Sequence, residues 1–214
     1  MAITPLAIAS RIRPRSVSFP PANAAPFAPR MPHFTTNPPG GPGIMALTFP
    51  RGCMRMETRG EREVRAFFEA AGLAKEIHRF DESTHNSEQA ARSLGVEIGQ
   101  IAKTILLLAD DAAVVVVISG DRRVDTKKVR ALGHGKRVRL AGPEDVVSRT
   151  GFAVGAVSPV PLPAGIPVYL DRSLRRYPDI YPAAGETNNM FRTTPDELLA
   201  LTGATERDLA REEG

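Results

Sequence analysis

The sequence holds a single cysteine, Cys53. One cysteine excludes an intrachain disulfide framework, a paired-thiol redox motif and a thiolate metal cluster, and a reducing cytoplasm is the expected setting. Long apolar runs are also missing. No stretch approaches the ~18 residues of a membrane-spanning helix, so no membrane association is expected. The common catalytic signatures GxGxxG, GxxxxGK[ST], HExxH and GxSxG do not occur. The four histidines, His33, His78, His85 and His134, have no mutual spacing suited to a metal and read as scattered, solvated side chains. Neither a metal nor another cofactor is expected.

Acidic residues and lysine are absent from residues 1–56, which carry six arginines and eleven of the nineteen prolines. Proline at that density blocks helix and sheet, so this stretch is expected to be a disordered extension. Its prolines forbid the amphipathic helix of an organelle transit peptide, and its opening lacks the basic region of a secretory signal. The compositional break at Glu57 fits a start codon placed too far upstream, with Met54 or Met56 as the beginning. The break also relocates the charge. The chain has 28 basic and 24 acidic groups and a pI near 9.6, but residues 57–214 alone hold 22 basic and 24 acidic groups. Net charge therefore carries no nucleic-acid inference for the expected domain, 57–214.

What the domain does have is a strong hairpin signal. Two apolar runs, Ile105 to Leu108 and Ala112 to Ile118, flank Asp110-Asp111. The second is rich in β-branched residues, which favour a pleated backbone. Helices are predicted from Glu61 to Ala71, from Asn86 or Ser87 to Leu94, from Asp125 to Leu132, from Pro143 to Thr150, and from Thr194 to Gly203. Asn86-x-x-Gln89 and Thr194-x-x-Glu197 have the spacing of capping boxes. Further strands are predicted at 75–80, 138–140 and 167–171, with a second hairpin from 180–184 and 190–192. The acidic tail after Thr205 is expected to fray. Adjacent strand pairs mixed with helical crossovers exclude a doubly wound parallel sheet. They favour an α/β domain of mixed (α+β) type, with a mostly antiparallel, barrel-like sheet surrounded by helices.

Three features could carry chemistry. Lys103-Thr104 opens the first hairpin strand, where a lysine is costly unless its ammonium reaches water, a carboxylate or a ligand. The plain alternative is a snorkelling lysine at a strand end. The loop Gly151-Phe-Ala-Val-Gly155-Ala-Val-Ser158-Pro159 can converge backbone N–H groups on a carbonyl or anionic oxygen, or be an ordinary long connection. The segment 122–139 has eight Lys/Arg (Arg122, Arg123, Lys127, Lys128, Arg130, Lys136, Arg137, Arg139) against Asp125 alone. That is either a solvated face or a contact to a phosphate backbone.

IAKTILLL, SGDRRVDTKKVRALG, GFAVGAVSP, VYLD and DELLALTGA, in this order, closely resemble the YbaK/prolyl-tRNA-synthetase-associated domain family. The resemblance spans about residues 61–210 and rests on several linked motifs. It implies a domain that hydrolyses the ester of mischarged tRNA, typically carrying Cys, Ala or another small amino acid in proline-type systems, acting in trans. Mischarged tRNA, through its acceptor stem and 3′ end, is then the expected partner, together with an aminoacyl-tRNA synthetase.

The resemblance places the family's essential lysine on Lys103, its glycine loop on Gly151 to Pro159, its aspartate on Asp171 and its late glycine on Gly185. The candidate catalytic residues are then Lys103, Gly151, Gly155 and Asp171. Phe80, Thr104, Ser158, Pro159 and Gly185 are candidates for substrate binding, and Arg122, Arg123, Lys127, Lys128, Arg130, Lys136 and Arg137 for tRNA binding. In the expected mechanism Lys103 holds a phosphate or polarises the carbonyl, the amides of Gly151 to Gly155 stabilise the oxyanion, and water attacks. Phe80 stands where some family members have tyrosine, and Val160-Pro161 replaces the usual aromatic-glycine pair. The alternative is a module that binds tRNA or an aminoacyl group without hydrolysis.

Overall fold

The computed structural model describes residues 58–81 and 86–212. The expectations for residues 1–56 lie outside the described residues. Among the described residues eight strands and five helices follow in the order α1 (Glu61–Ala70), β1 (Ile77–Arg79), α2 (Ser87–Leu94), β2 (Ile101–Ala109), β3 (Ala112–Ser119), α3 (Thr126–Arg130), β4 (Val138–Leu140), α4 (Pro143–Thr150), β5 (Val168–Asp171), β6 (Tyr181–Pro182), β7 (Asn189–Phe191), α5 (Pro195–Thr202) and β8 (Thr205–Arg207). Short 3₁₀ turns precede β2 and follow β5.

Local chemistry fixes most boundaries. The Asn86 side chain accepts the Gln89 N–H at 2.9 Å, and Thr194 Oγ1 accepts that of Glu197 at 3.2 Å. Each satisfies a donor that the first helical turn leaves unpaired. Asp110 turns the β2–β3 hairpin at φ 53°, and its carboxylate accepts the N–H groups of Lys136 and Arg137. The hairpin turn thereby anchors the approach to β4.

The long hairpin, Ala102↔Ser119 through Ala109↔Ala112, is the centre of a six-stranded sheet ordered β4-β2-β3-β5-β8. β6 pairs with the start of β2 on the same edge that β4 uses further along. Two expectations are corrected here. Among the described residues no pairing joins β4 to β8, so the sheet is open and does not form a closed barrel. Nor is it mostly antiparallel by strand pair: β3–β5, β5–β8 and β2–β6 are parallel, and β2–β3 and β2–β4 antiparallel. Parallel neighbours need a long crossover, and each of these pairs is joined through a connection that contains at least one helix. β1 and β7 form a separate antiparallel pair.

Side-chain alternation divides the core. Ala102, Leu106, Val115, Val117 and Leu170 face Val64 and Phe68 of α1, Phe152, Phe191 and Leu198. Leu107, Val114, Val116 and Ile118 face Val129 of α3 and Leu209. The expected fraying of the tail is also corrected. Thr205–Arg207 adds to β5, Leu209 is buried, and the N–H groups of Leu209 and Ala210 donate to Asp171 at 2.6 and 2.9 Å.

Candidate active site

β2 has one edge covered twice. β6 pairs with Ile101 and Ala102, and β4 with Leu107 to Ala109. Between them, residues 103–106 meet no strand on that side among the described residues, and a cavity of about 470 Å³ lies along the gap. Its walls include Ile101 to Leu106, the start of α4 (Pro143, Val146), the loop residues Val154, Gly155 and Val157, and the turn residues Glu186 and Thr187. Lys103 and Thr104 are therefore brought to one cavity with Gly155, which is far from them in sequence.

Alternation puts the Lys103 side chain on the face of Ile105 and Leu107, at an end where the core gives way to the Ser119–Arg123 turn. Its ammonium donates to the Arg122 carbonyl at 2.6 Å. Burial pushes its pKa down, Asp121 opposes that shift, and Arg123 adds to it. The Arg122 carbonyl takes one of the three ammonium protons, and among the described residues no other hydrogen bond from that ammonium is found. Thr104 lies on the opposite face; its Oγ1 is buried without a hydrogen-bond partner among the described residues. A lone buried hydroxyl at a cavity wall is a site that a polar ligand group would satisfy.

The glycine loop is more selective than its sequence suggests. Gly151, at φ 79°, ends α4, and its N–H is taken by the Val147 carbonyl at 2.8 Å. The Phe152 N–H goes to Thr150 Oγ1. The expected oxyanion role for the Gly151 amide is therefore corrected to a helix-capping one, and Ala153, Val154 and Gly155 are the loop positions left as candidates. Gly155, at φ 83°, lines the cavity. Ser158 is fully buried; its hydroxyl donates to the Val160 carbonyl at 2.6 Å and accepts the Val160 N–H, which staples the loop. Ser158 and the buried Pro159 support the loop and do not line the cavity.

The other expected residues lie off the cavity wall. The buried Asp171 carboxylate accepts the N–H groups of Ser173, Leu209 and Ala210, so it pins β5 to the C-terminal segment and is not part of the cavity wall. Phe80 packs with Ala90, Ala91, Ile101 and Met190, behind the wall that Ile101 and Met190 form. Gly185 is buried at φ 97° against the backbone of Gly60. Of the basic residues, Arg123, Lys127, Arg130, Lys136 and Arg137 are exposed, while Lys128 pairs with Asp208 at 3.0 Å. The basic segment starts at the carbonyl that holds the Lys103 ammonium and runs through β4 to the cavity mouth.

Sequence reading missed the N-terminal clasp. The Arg59 N–H donates to the Gly151 carbonyl at 2.7 Å, and its guanidinium reaches the Pro161 carbonyl at 3.3 Å. Two residues on, the buried Glu61 carboxylate accepts from Asn189, Arg65 and Arg79. Residues 59–61 thus join the glycine loop to the 185–189 turn, the two walls across the cavity from β2. No local pattern announces the contacts to Gly151, Pro161 and Asn189, because those partners lie about ninety or more residues away. Among the described residues no group of three or more His, Cys, Asp or Glu could hold a metal, and no helix is long and apolar enough to cross a membrane.

The likeness to known proteins covers this same unit. A protein of Bacillus subtilis (strain 168), the uncharacterized YwhH, is 34% identical over 138 residues, covering 64% of this chain and 87% of that one. EbsC of Enterococcus faecalis, provisionally named a Cys-tRNA(Pro)/Cys-tRNA(Cys) deacylase, is 30% identical over 129 residues, covering 60% of this chain and 79% of that one. A crystal structure described provisionally as a trans-editing enzyme for prolyl tRNA synthetase superposes with a TM-score of 0.67 at 38% identity, over 71% of this chain and 97% of that one. The aminoacyl-tRNA editing domain model matches residues 81–201, more than half of the sequence and all but one strand of the main sheet. The chain therefore belongs to the aminoacyl-tRNA editing domain family.

Proposed function

We propose that this chain hydrolyses, in trans, the ester that joins a wrongly attached small amino acid to the 3′-terminal ribose of a tRNA. The observation that carries the reading is the cavity whose walls include Lys103 and Thr104 of β2 together with Gly155 of the loop. An aminoacyl ester is already reactive, and the described lining contains neither histidine nor cysteine, so an attacking water fits the site better than a protein nucleophile. In the step, water adds to the ester carbonyl, the carbon–oxygen bond to the ribose breaks, and the ribose oxygen leaves with a proton. The free neighbouring hydroxyl of the ribose guides the water.

Lys103 supplies the positive charge, placed on the terminal phosphate or the carbonyl oxygen. The amides of Ala153 to Gly155 face the charge that grows on that oxygen. The exposed cations of 122–139 meet the acceptor stem, whose A-form helix is read chiefly through backbone and shape. Such an activity has a physical reason: one methylene separates amino acids by only ~1–3 kcal/mol, so synthetases err on small side chains and a second hydrolytic site corrects them. The cytoplasm, where tRNA is charged, and a synthetase of proline type are the matching compartment and partner.

The test is incubation of the full chain with tRNA(Pro) charged with Ala, Cys, Ser, Thr or Pro, following ester loss. Faster loss than without protein for at least one small amino acid, with Pro-tRNA(Pro) spared, supports the reading. Binding of these tRNAs with no acceleration for any of them overturns it in favour of a non-hydrolytic binding module.

A further inference from the structure

Among the described residues two large apolar side chains are exposed, Leu140 at 64% and Val154 at 55%. Single exposed apolar residues are ordinary on protein surfaces. These two are not scattered, because both line the same cavity. Leu140 ends β4 just before α4, and Val154 stands in the loop just after it, so the two ends of one helix carry them to the same opening. The chain leading to Leu140 is basic and exposed, with Lys136 and Arg137 at the hairpin turn and Arg139, which reaches Asp145 at 3.4 Å, next to Leu140. The mouth therefore offers an apolar pair bordered by cations.

We propose that Leu140 and Val154 clamp the base of the tRNA's 3′-terminal adenosine. The inference rests on the reading above, which puts the aminoacyl arm inside the cavity. The ester hangs from the terminal ribose, so with that arm buried the ribose sits at the mouth and its base is the next group outward. A purine presents two flat, weakly hydrated faces that aliphatic side chains can cover, and the phosphate on its 5′ side turns toward Arg139 and the basic segment that leads into β4. Charge complementarity thus favours a nucleotide over an apolar protein segment. Neither clamp contact depends on which amino acid is attached, so the clamp contributes binding common to all substrates and leaves discrimination to the cavity interior.

The experiment compares the full-length chain with Leu140→Ser, Val154→Ser, the double Ser variant and the conservative Leu140→Met/Val154→Ile pair. Fluorescence anisotropy measures binding of uncharged tRNA(Pro) ending in CCA and of the same tRNA ending in CC. The wild type is expected to prefer the CCA form by about 5–10-fold, roughly the contribution of one covered base. The double Ser variant loses that preference and the Met/Ile pair keeps it. With Ala-tRNA(Pro) or Cys-tRNA(Pro), whichever the wild type deacylates, the Leu140→Ser variant raises KM with kcat within about twofold. Wild type binding CCA and CC tRNA equally, or a double Ser variant that keeps the preference, overturns the clamp. So does a defect that appears only when a synthetase is added, which would make the pair a protein-docking surface. A wild type that prefers CCA yet hydrolyses none of the esters supports the clamp while overturning the hydrolytic reading, so the two fail separately.

Discussion

Replacing Gly185 by alanine isolates the join between the 185–189 turn and the start of α1. At φ 97° an L side chain is strained, by about 1–2 kcal/mol. A Cβ there would also lie 2.5 Å from the carbonyl carbon and oxygen of Gly60 and 2.9 Å from the Glu61 nitrogen. Those are backbone atoms fixed by the helix start, so they cannot swing aside as a flexible side chain would. Overpacking of this kind costs about 1–3 kcal/mol, for a total of roughly 2–5 kcal/mol out of the 5–15 typical of a domain. Gly165→Ala is the control: its φ is 88°, but nothing lies within 4 Å of a Cβ there, so only the conformational cost applies. Urea unfolding followed by circular dichroism should give a much lower midpoint for Gly185→Ala than for Gly165→Ala, with similar slopes. Deacylation by Gly185→Ala should fall as well, because the turn carries Glu186 and Thr187 into the cavity wall. Equal midpoints for the two variants would refute the reasoning.

Asp171→Asn should cost about 2–3 kcal/mol, because the amide presents N–H groups to a site that accepts three backbone donors. Hydrogen exchange should show the loss first in β8 and at Leu209. Desolvation raises the pKa of Glu61, but the hydrogen bonds from Asn189, Arg65 and Arg79 outweigh it and hold the group below its ordinary 4.5. A depressed carboxylate stabilises the fold above its unfolded pKa and loses that contribution as pH falls through the folded one. Glu61→Gln should therefore be less stable than wild type at pH 7, with the difference narrowing below about pH 4.5 in acid titrations. Lys127→Glu/Arg130→Glu, both exposed on the basic segment, should weaken tRNA binding at low salt and reduce the slope of log K against log salt by about 2. An unchanged slope would remove that face from the interface.

Much of this arrangement is written locally. The β2–β3 hairpin follows from its β-branched runs, and the starts of α2 and α5 follow from Asn86 and Thr194, each with its partner three residues on. Lys103 stood out because a cation at the mouth of an apolar strand needs a partner. The parts that were not legible depend on distant pairing. β8 is three polar residues with no alternation to betray it, and it is held by the buried carboxylate of Asp171. The open sheet follows from β4 and β8 ending it with no pairing between them among the described residues, an order no local pattern encodes. Gly151 looks like an oxyanion donor until the helix before it claims its N–H. Arg59, just before the first helix, carried no signal for its contact with a loop more than ninety residues away.

The central proposal is that Lys103, a residue of the cavity wall whose ammonium donates to the Arg122 carbonyl, acts on the ester and does not hold up the fold. Single-turnover deacylation of Ala-tRNA(Pro) and Cys-tRNA(Pro) by Lys103→Met, set beside its thermal midpoint, tests this directly. Removing one charged group that stabilises a developing oxyanion should slow the wild-type reaction about 10²–10³-fold. The lost hydrogen bond, worth about 1–3 kcal/mol, is offset by relief of a desolvated charge, so the midpoint should stay within about 4 °C. A variant that cleaves within about twofold of wild type, or one that loses activity only by unfolding, would contradict the account.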